Sequence, residues 1–266
     1  MAAVVVNDLV VRYGPLEAVS GASFCVQDGE VLGLLGPNGA GKTSIVRVLV
    51  TLLRPHSGQA LICGRDVTDD ARAVRRLIGY VPQAISADGS LTGRENATLF
   101  AKLYGLARDE RRPRIDETLA LMGLSDATDT LVQDYSGGMI RRLEIACALL
   151  STPRVLLLDE PTLGLDPAAR RGVWDHLQRE RTSRGMSILV TTHYMEEAEQ
   201  NCDRVVVMSG GRVLAEATPA TLRARADRKD ATLEDVFIAL TQSGSDEGRG
   251  GLREAGRARR TGRRLG

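Results

Sequence analysis

Apolar and polar residues alternate near the start of the chain, at Val4 and Val6, then Leu9 and Val11, then from Ser23 to Val26. That period of two marks half-buried strands, and Tyr13-Gly14-Pro15 and Asp28-Gly29 supply the turns between them. Val31-Leu32-Gly33-Leu34-Leu35 is different, because it is apolar without alternation. Such a run predicts a strand covered on both faces of a parallel sheet. It feeds a glycine-rich loop from Gly36 to Gly41. Beyond the loop Ile45, Val46, Leu49, Leu52 and Leu53 fall at helical spacing, and Arg54-Pro55 predicts the helix end.

Between Leu91 and Ser151 the pattern turns helical and more charged. It predicts helices around Arg94 to Tyr104, Arg114 to Met122 and Met139 to Leu150. Ile78 to Pro82 is strand-like, and strong strand signals return at Val155 to Leu158, Ser187 to Thr191 and Arg204 to Met208. The frame is therefore α/β with a helical insertion. No internal repeat is visible, which argues against two fused units. From Gly244 to Gly266 the chain is rich in Gly and Arg and nearly free of apolar residues. That composition predicts disorder, and its seven Arg against three acids leave anionic lipid or nucleic acid as alternative resting places.

Composition narrows the picture by exclusion. The 266 residues suffice for one α/β domain with an inserted part. A net charge of +1 gives no electrostatic case for nucleic acid, and 3% aromatics leave few stacking platforms. No apolar run approaches the roughly 18 residues that a bilayer span needs. The start lacks a basic region followed by an apolar stretch, so no secretory signal is expected and the chain is placed in the cytoplasm. Cys25, Cys63, Cys147 and Cys202 show no CxxC spacing and are read as small, mostly buried thiols. The preference for Arg (32) over Lys (3) is read as codon usage, not chemistry.

The chemistry begins at Gly36-Pro37-Asn38-Gly39-Ala40-Gly41-Lys42-Thr43, which fits GxxxxGK[ST] between a predicted strand and a predicted helix. A polyphosphate needs inward-pointing backbone amides, and only residues tolerant of positive φ let the chain wrap that tightly. The helix start adds partial positive charge. Lys42 is expected to reach the β- and γ-phosphates, and the Thr43 hydroxyl to ligate Mg²⁺, with Ser44 completing the nucleotide contacts. A plain glycine turn before a core helix is the weaker account. Alone, this loop signifies NTP binding and no more.

Val155-Leu156-Leu157-Leu158-Asp159-Glu160 is an apolar strand ending in two acids. Strand carboxyl ends are where α/β sheets hold ligands, so Asp159 is expected to hold Mg²⁺ and Glu160 to orient or deprotonate a water. Acids at strand exits are common, and the pair gains weight from the loop before it. His193 ends the next strand, Ile188 to Thr192, and is expected beside the γ-phosphate.

Tyr135-Ser136-Gly137-Gly138-Met139 opens a helix with Ser136 as its cap. Placed before the acidic strand, it resembles the signature of the ABC transporter family, usually written LSGGQ. The other family elements follow in order. Tyr13 resembles the aromatic that stacks on adenine, Gln83 the Q-loop glutamine near metal and water, Gly164-Leu165-Asp166 the D-loop, and His193 the switch histidine. The resemblance spans Val4 to Gly244. Tyr135 and Met139 depart from Leu and Gln of the usual signature. Those changes, with Ala231 to Phe237, resemble the daunorubicin-resistance branch of drug exporters.

The resemblance implies a P-loop NTPase core of ABC ATPase type over residues 1–243. An N-terminal antiparallel β subdomain and a helical signature subdomain at about 84–153 would belong to it, with 244–266 as a tail. It implies an ATPase using ATP and Mg²⁺, with Thr43, Gln83 and Asp159 at the metal and Glu160, His193, Gln83 and Lys42 as catalytic groups. Ser136, Gly137 and Gly138 would bind the ATP of the other copy in a homodimer, with Asp166 at the dimer interface. A separate membrane permease would dock near Gln83 and Leu91 to Leu106, holding the chain on the inner face of the membrane. A soluble relative acting on ribosome or DNA is the alternative, and such proteins usually carry two cassettes or a coiled-coil insertion. A regulatory module that binds ATP without turnover is a third reading, and intact Glu160 and His193 speak against it.

Overall fold

The computed structural model describes residues 1–224 and 231–241, and the tail from Gly244 lies outside them. Strands β1 (Ala2–Tyr13) and β2 (Leu16–Gln27) form an antiparallel hairpin turning at Gly14-Pro15. Val4, Val6, Leu9 and Val11 all face the core. The step from Val6 to Leu9 breaks strict alternation, and a register shift with Asp8 at φ 46° absorbs the extra residue. Strand β4 (Ser57–Ile62) pairs with the free side of β1, and the short β5 (Arg65–Asp66) closes the order β2-β1-β4-β5.

The second sheet starts with β3 (Val31–Leu35), which leads through the glycine loop into helix α1 (Lys42–Leu49). Helix α2 (Ala71–Val74) precedes β6 (Ile78–Val81). The chain then leaves the sheet for α3 (Gly93–Leu103), α4 (Arg108–Leu121) and α5 (Gly137–Leu149). It returns as β7 (Val155–Asp159), followed by α6 (Pro167–Arg184), β8 (Ser187–Thr192), α7 (Met195–Asn201), β9 (Arg204–Ser209), β10 (Arg212–Ala217) and α8 (Pro219–Ala224). Residues 233–241 are helical again. The sheet order is β10-β9-β3-β8-β7-β6, parallel except for β10.

The unbroken apolar runs now have their reason. Val31 and Leu35 pack on the helical side, while Leu32 and Leu34 pack under the antiparallel sheet. Strand β7 divides the same way, with Leu156 and Leu158 on one side and Val155 and Leu157 on the other. A sheet with two covered faces has no polar side to alternate with. The carboxyl ends of β3, β7 and β8 lie side by side, so the loop at Gly36, the pair Asp159-Glu160 and His193 share one edge.

Several predicted boundaries shift. Helix α1 ends at Leu49 and does not reach Leu53, because Thr51 takes φ 64° and the amides of Leu52 and Leu53 both turn back to the Arg47 carbonyl. Leu52 is left 70% exposed. Helix α4 begins at Arg108, ahead of the predicted Arg114, since its first turns are charged and carry no apolar period. Strand β10 is only half-buried and gave no signal. Only Cys147 and Cys202 are buried, Cys25 and Cys63 are half-exposed, and all four thiols are free. Among the described residues no helix is long and apolar enough to cross a membrane.

Candidate active site

The glycine loop is shaped by close approach. Gly36 passes the Met208 carbonyl so tightly that a Cβ would stand 2.6 Å from its oxygen. Gly41 caps α1 at φ 102°, where a Cβ would meet the Ala18 carbonyl at 2.5 Å. Any side chain at either place pushes strand against loop. The loop borders a cavity of about 660 Å³ whose walls include Tyr13, Lys42, Thr43, Ser44, Gln83 and Glu160. Ser44 Oγ donates to the Tyr13 hydroxyl at 3.4 Å. Lys42 folds over the loop, its Nζ donating to the carbonyls of Gly36 (2.7 Å) and Pro37 (3.2 Å). Burial holds the Lys42 pKa below its ordinary value, against the opposing charges of Glu160 and Asp159.

The two acids divide their tasks. Asp159 Oδ1 accepts from Thr191 Oγ1 (2.6 Å) and from Thr43 Oγ1 (3.3 Å), which joins the ends of β7 and β8 to the start of α1. Glu160 sits at φ 51°, a left-handed conformation that costs a non-glycine residue about 1–2 kcal/mol. Its amide is held by Thr191, through the carbonyl (3.1 Å) and Oγ1 (3.0 Å). The twist turns its carboxylate into the cavity. Oε1 lies 3.8 Å from Lys42 Nζ, and Oε2 lies 3.2 Å from His193 Nδ1 and 3.4 Å from Gln83 Nε2. One buried carboxylate thus gathers Lys42, Gln83 and His193. The paired hydroxyl of Thr43 and carboxylate of Asp159 are oxygen donors of the kind a hard divalent cation takes, and Gln83 lines the same cavity as Thr43.

Ser136 caps α5 through its Oγ, which accepts from the Met139 amide at 3.3 Å. Ser136, Gly137 and Gly138 do not line the cavity that holds Lys42. Gly138 instead faces α6, where a Cβ would come within 2.9 Å of Ala169. Asp166 caps α6, accepting from the amides of Ala168 and Ala169 at 2.9 Å each, and those bonds hold its carboxyl below the usual range. A single chain therefore carries a phosphate loop and a signature that do not meet. The Tyr135 variation also has a place in the packing. Its ring is buried, and its hydroxyl donates to the Ala127 carbonyl beside Gly93, the first residue of α3.

Sequence reasoning missed a set of buried polar residues around the site. Thr191 lies within a predicted strand and carries no site signal of its own. Glu197 accepts from Thr162 Oγ1 (2.6 Å), Trp174 Nε1 (2.6 Å) and Thr192 Oγ1, which ties the segment after Glu160 to the segment before His193. Arg141 and Glu144 are 6% and 5% exposed. Their i, i+3 spacing among apolar residues on α5 was the available signal. Gly210 and Gly211, in the turn between β9 and β10, also border the cavity.

Residues 19–163 match the family model described as ABC transporter. Daunorubicin resistance ATP-binding protein DrrA3 of Streptomyces coeruleorubidus is 46% identical over 236 residues, covering 88% of this chain and 74% of that protein. Nod factor export ATP-binding protein I of Burkholderia thailandensis is 47% identical over 211 residues, covering 79% and 69%. A solved ATP-binding subunit of an ABC transporter superposes with a TM-score of 0.79 at 31% identity, over 90% of this chain and 99% of that one. These matches favour a transport ATPase over a ribosome- or DNA-acting relative. With its phosphate loop, paired acids and helical insertion in the family's order, the chain belongs to the ABC transporter family, as one of its ATP-binding, ATP-hydrolysing subunits.

Proposed function

We propose that two copies of this chain clamp two ATP molecules head to tail, and that the cycle of closure and hydrolysis drives export of a drug-like compound through a separate membrane permease. The observation that carries this reading is the convergence of Lys42, Gln83 and His193 on Glu160, a wall residue of the phosphate-loop cavity, with Ser136–Gly138 absent from its walls. A second copy supplies the missing half: its signature helix start would face the γ-phosphate across the interface, with Asp166 beside it. Tyr13 stacks on the adenine, and the loop amides from Gly36 to Ser44 wrap the phosphates.

Thr43, Asp159 and Gln83 would hold Mg²⁺, which would supply positive charge to offset that of the phosphates. Glu160 accepts the proton of the attacking water as its oxygen bonds the γ-phosphorus and the bond to the β-phosphate oxygen breaks. His193 donates toward the transferred group, and Lys42 balances its charge. Loss of the γ-phosphate removes the bridge between copies. Only such differential affinity for open and closed states lets ATP do work on a partner.

The permease would dock on the outer edge of the helical insertion, placing this chain on the inner face of the membrane. Support comes from a groove lined by Arg72, Arg75, Arg76, Leu103 and Arg114. Leu103 is 72% exposed there, and Ile85 after Gln83 is 66% exposed. A short cytoplasmic helix with apolar and acidic faces matches that surface. Drug-like cargo is inferred from relatives named for daunorubicin resistance.

The test uses everted membrane vesicles containing the chain and a co-expressed integral membrane partner, with ATP-driven doxorubicin uptake as readout. Glu160→Gln should retain ATP binding and lose most turnover and uptake, by at least about a hundredfold in kcat. Near-normal ATPase activity in that variant removes Glu160 from its role. Uptake that ignores the partner's presence sinks the transport reading.

A further inference from the structure

Helix α5 carries a buried guanidinium that the mechanism above does not use. Arg141 lies one turn past the Ser136 cap and is 6% exposed. Its Nε donates to the Pro161 carbonyl at 2.7 Å. Nη1 donates to the Pro82 carbonyl at 2.7 Å and to Glu144 Oε2 at 2.8 Å. Nη2 donates to the carbonyls of Asp159 (3.2 Å) and Glu160 (3.1 Å). An arginine has five N–H donors, and every one is used here. Three of them grip successive carbonyls across the left-handed turn at Glu160. A fourth grips the residue just before Gln83. The fifth reaches Glu144, whose other oxygen accepts from the amide and hydroxyl of Ser86. Both ends of the segment 82–86 are thereby fastened to α5.

The geometry points to Arg141 as a positioning residue that fixes the backbone turn of Glu160 from the signature helix, braced against the Pro82 carbonyl. This rests on Glu160 being the base. A planar five-donor fork suits the task, since a lysine ammonium has three donors and cannot satisfy five acceptors spread over three segments. Arg141 touches no nucleotide-facing surface: it is absent from the walls of the cavity, and it acts through the turn that aims the carboxylate. A consequence follows for the whole cassette. The same helix begins at Ser136, so the turn bearing Glu160 is bonded directly to the part of the chain that would meet the other copy's ATP.

The test compares Arg141→Lys, Glu160→Gln and the double variant in the full-length chain, reading kcat, KM and affinity for trinitrophenyl-ATP. Arg141→Lys keeps the charge beside Glu144. It should bind the analogue within about twofold of wild type and lose at least about tenfold in kcat with little change in KM. Because Arg141 acts through Glu160, adding Arg141→Lys to Glu160→Gln should lower the residual turnover by no more than about twofold. A kcat within about twofold of wild type in Arg141→Lys, beside an inactive Glu160→Gln, overturns the role of Arg141 alone. Equal losses of analogue affinity and kcat, or a further tenfold loss in the double variant, also overturn it by showing a general structural role. Near-normal turnover in Glu160→Gln overturns both readings together.

Discussion

Glu160 and Lys42 show how the site stores constraint in single residues. Glu160 takes φ 51°, and the amide bonds to Thr191 together with the carbonyl bond to Arg141 hold it there. Lys42 is buried beside two acids, and burial prevails, so its pKa is lowered from 10.5. Below the lowered value the nucleotide-free fold carries the cost of a desolvated ammonium. As pH rises from there to 10.5, the unfolded chain binds more protons than the folded one, and folding stability from this group increases. ATP favours the charged ammonium, so its affinity should fall across the same window. Titration of trinitrophenyl-ATP affinity from neutrality upward checks this. Lys42→Arg, always charged, should flatten the decline, and Lys42→Ala should weaken binding at every pH. An unchanged affinity in Lys42→Ala counts against the assignment of the loop.

At the scale of elements, the helical insertion is held by a few specific contacts. Helix α3 opens with a full capping box between Thr92 and Glu95, and its first residue, Gly93, leaves room for the Tyr135 ring. A methyl at Gly93 would overlap the Tyr135 hydroxyl. Alanine is the better helix former by about 1 kcal/mol, so propensity and packing make opposite forecasts. Overpacking in a filled site costs about 1–3 kcal/mol, and the clash should win. Gly93→Ala should therefore lower stability in urea denaturation, and the loss should shrink in a Tyr135→Leu background. A stabilised Gly93→Ala would show that the ring moves aside freely. The same contact gives the tyrosine at the signature entrance a structural reason, because it fastens the approach to α5 onto α3.

For the whole molecule, the separation of the phosphate-loop cavity from Ser136–Gly138 is the decisive feature. In the proposed head-to-tail pair each chain would offer two unlike half-sites, and both would be completed at once. Blocking hydrolysis should trap that pair. Glu160→Gln with ATP is expected to run as a dimer in size-exclusion chromatography with light scattering, and to return to monomer when ATP is removed. A variant that stays monomeric with ATP saturating would argue against the shared γ-phosphate as the bridge. The wild-type chain, which would hydrolyse such a bridging phosphate, should show less dimer under the same conditions.

Local sequence determined the elements whose physics is local. The apolar run before Gly36, the glycines that tolerate the loop's backbone and the acids closing β7 each declare themselves within a few residues, and together they gave the parallel frame and the phosphate site. Helix ends were less legible, as α1 shows, because the Thr51 turn carries no hydrophobic signal. What the linear order could not show is which distant polar groups meet. Thr191 beside Asp159, Glu197 beneath Thr162 and Thr192, and Arg141 across two loops depend on strand order β3-β8-β7-β6 and on α5 packing over it. Buried polar groups must find partners. The sequence fixes that requirement residue by residue, but the partners lie far along the chain, and only the tertiary structure chooses them.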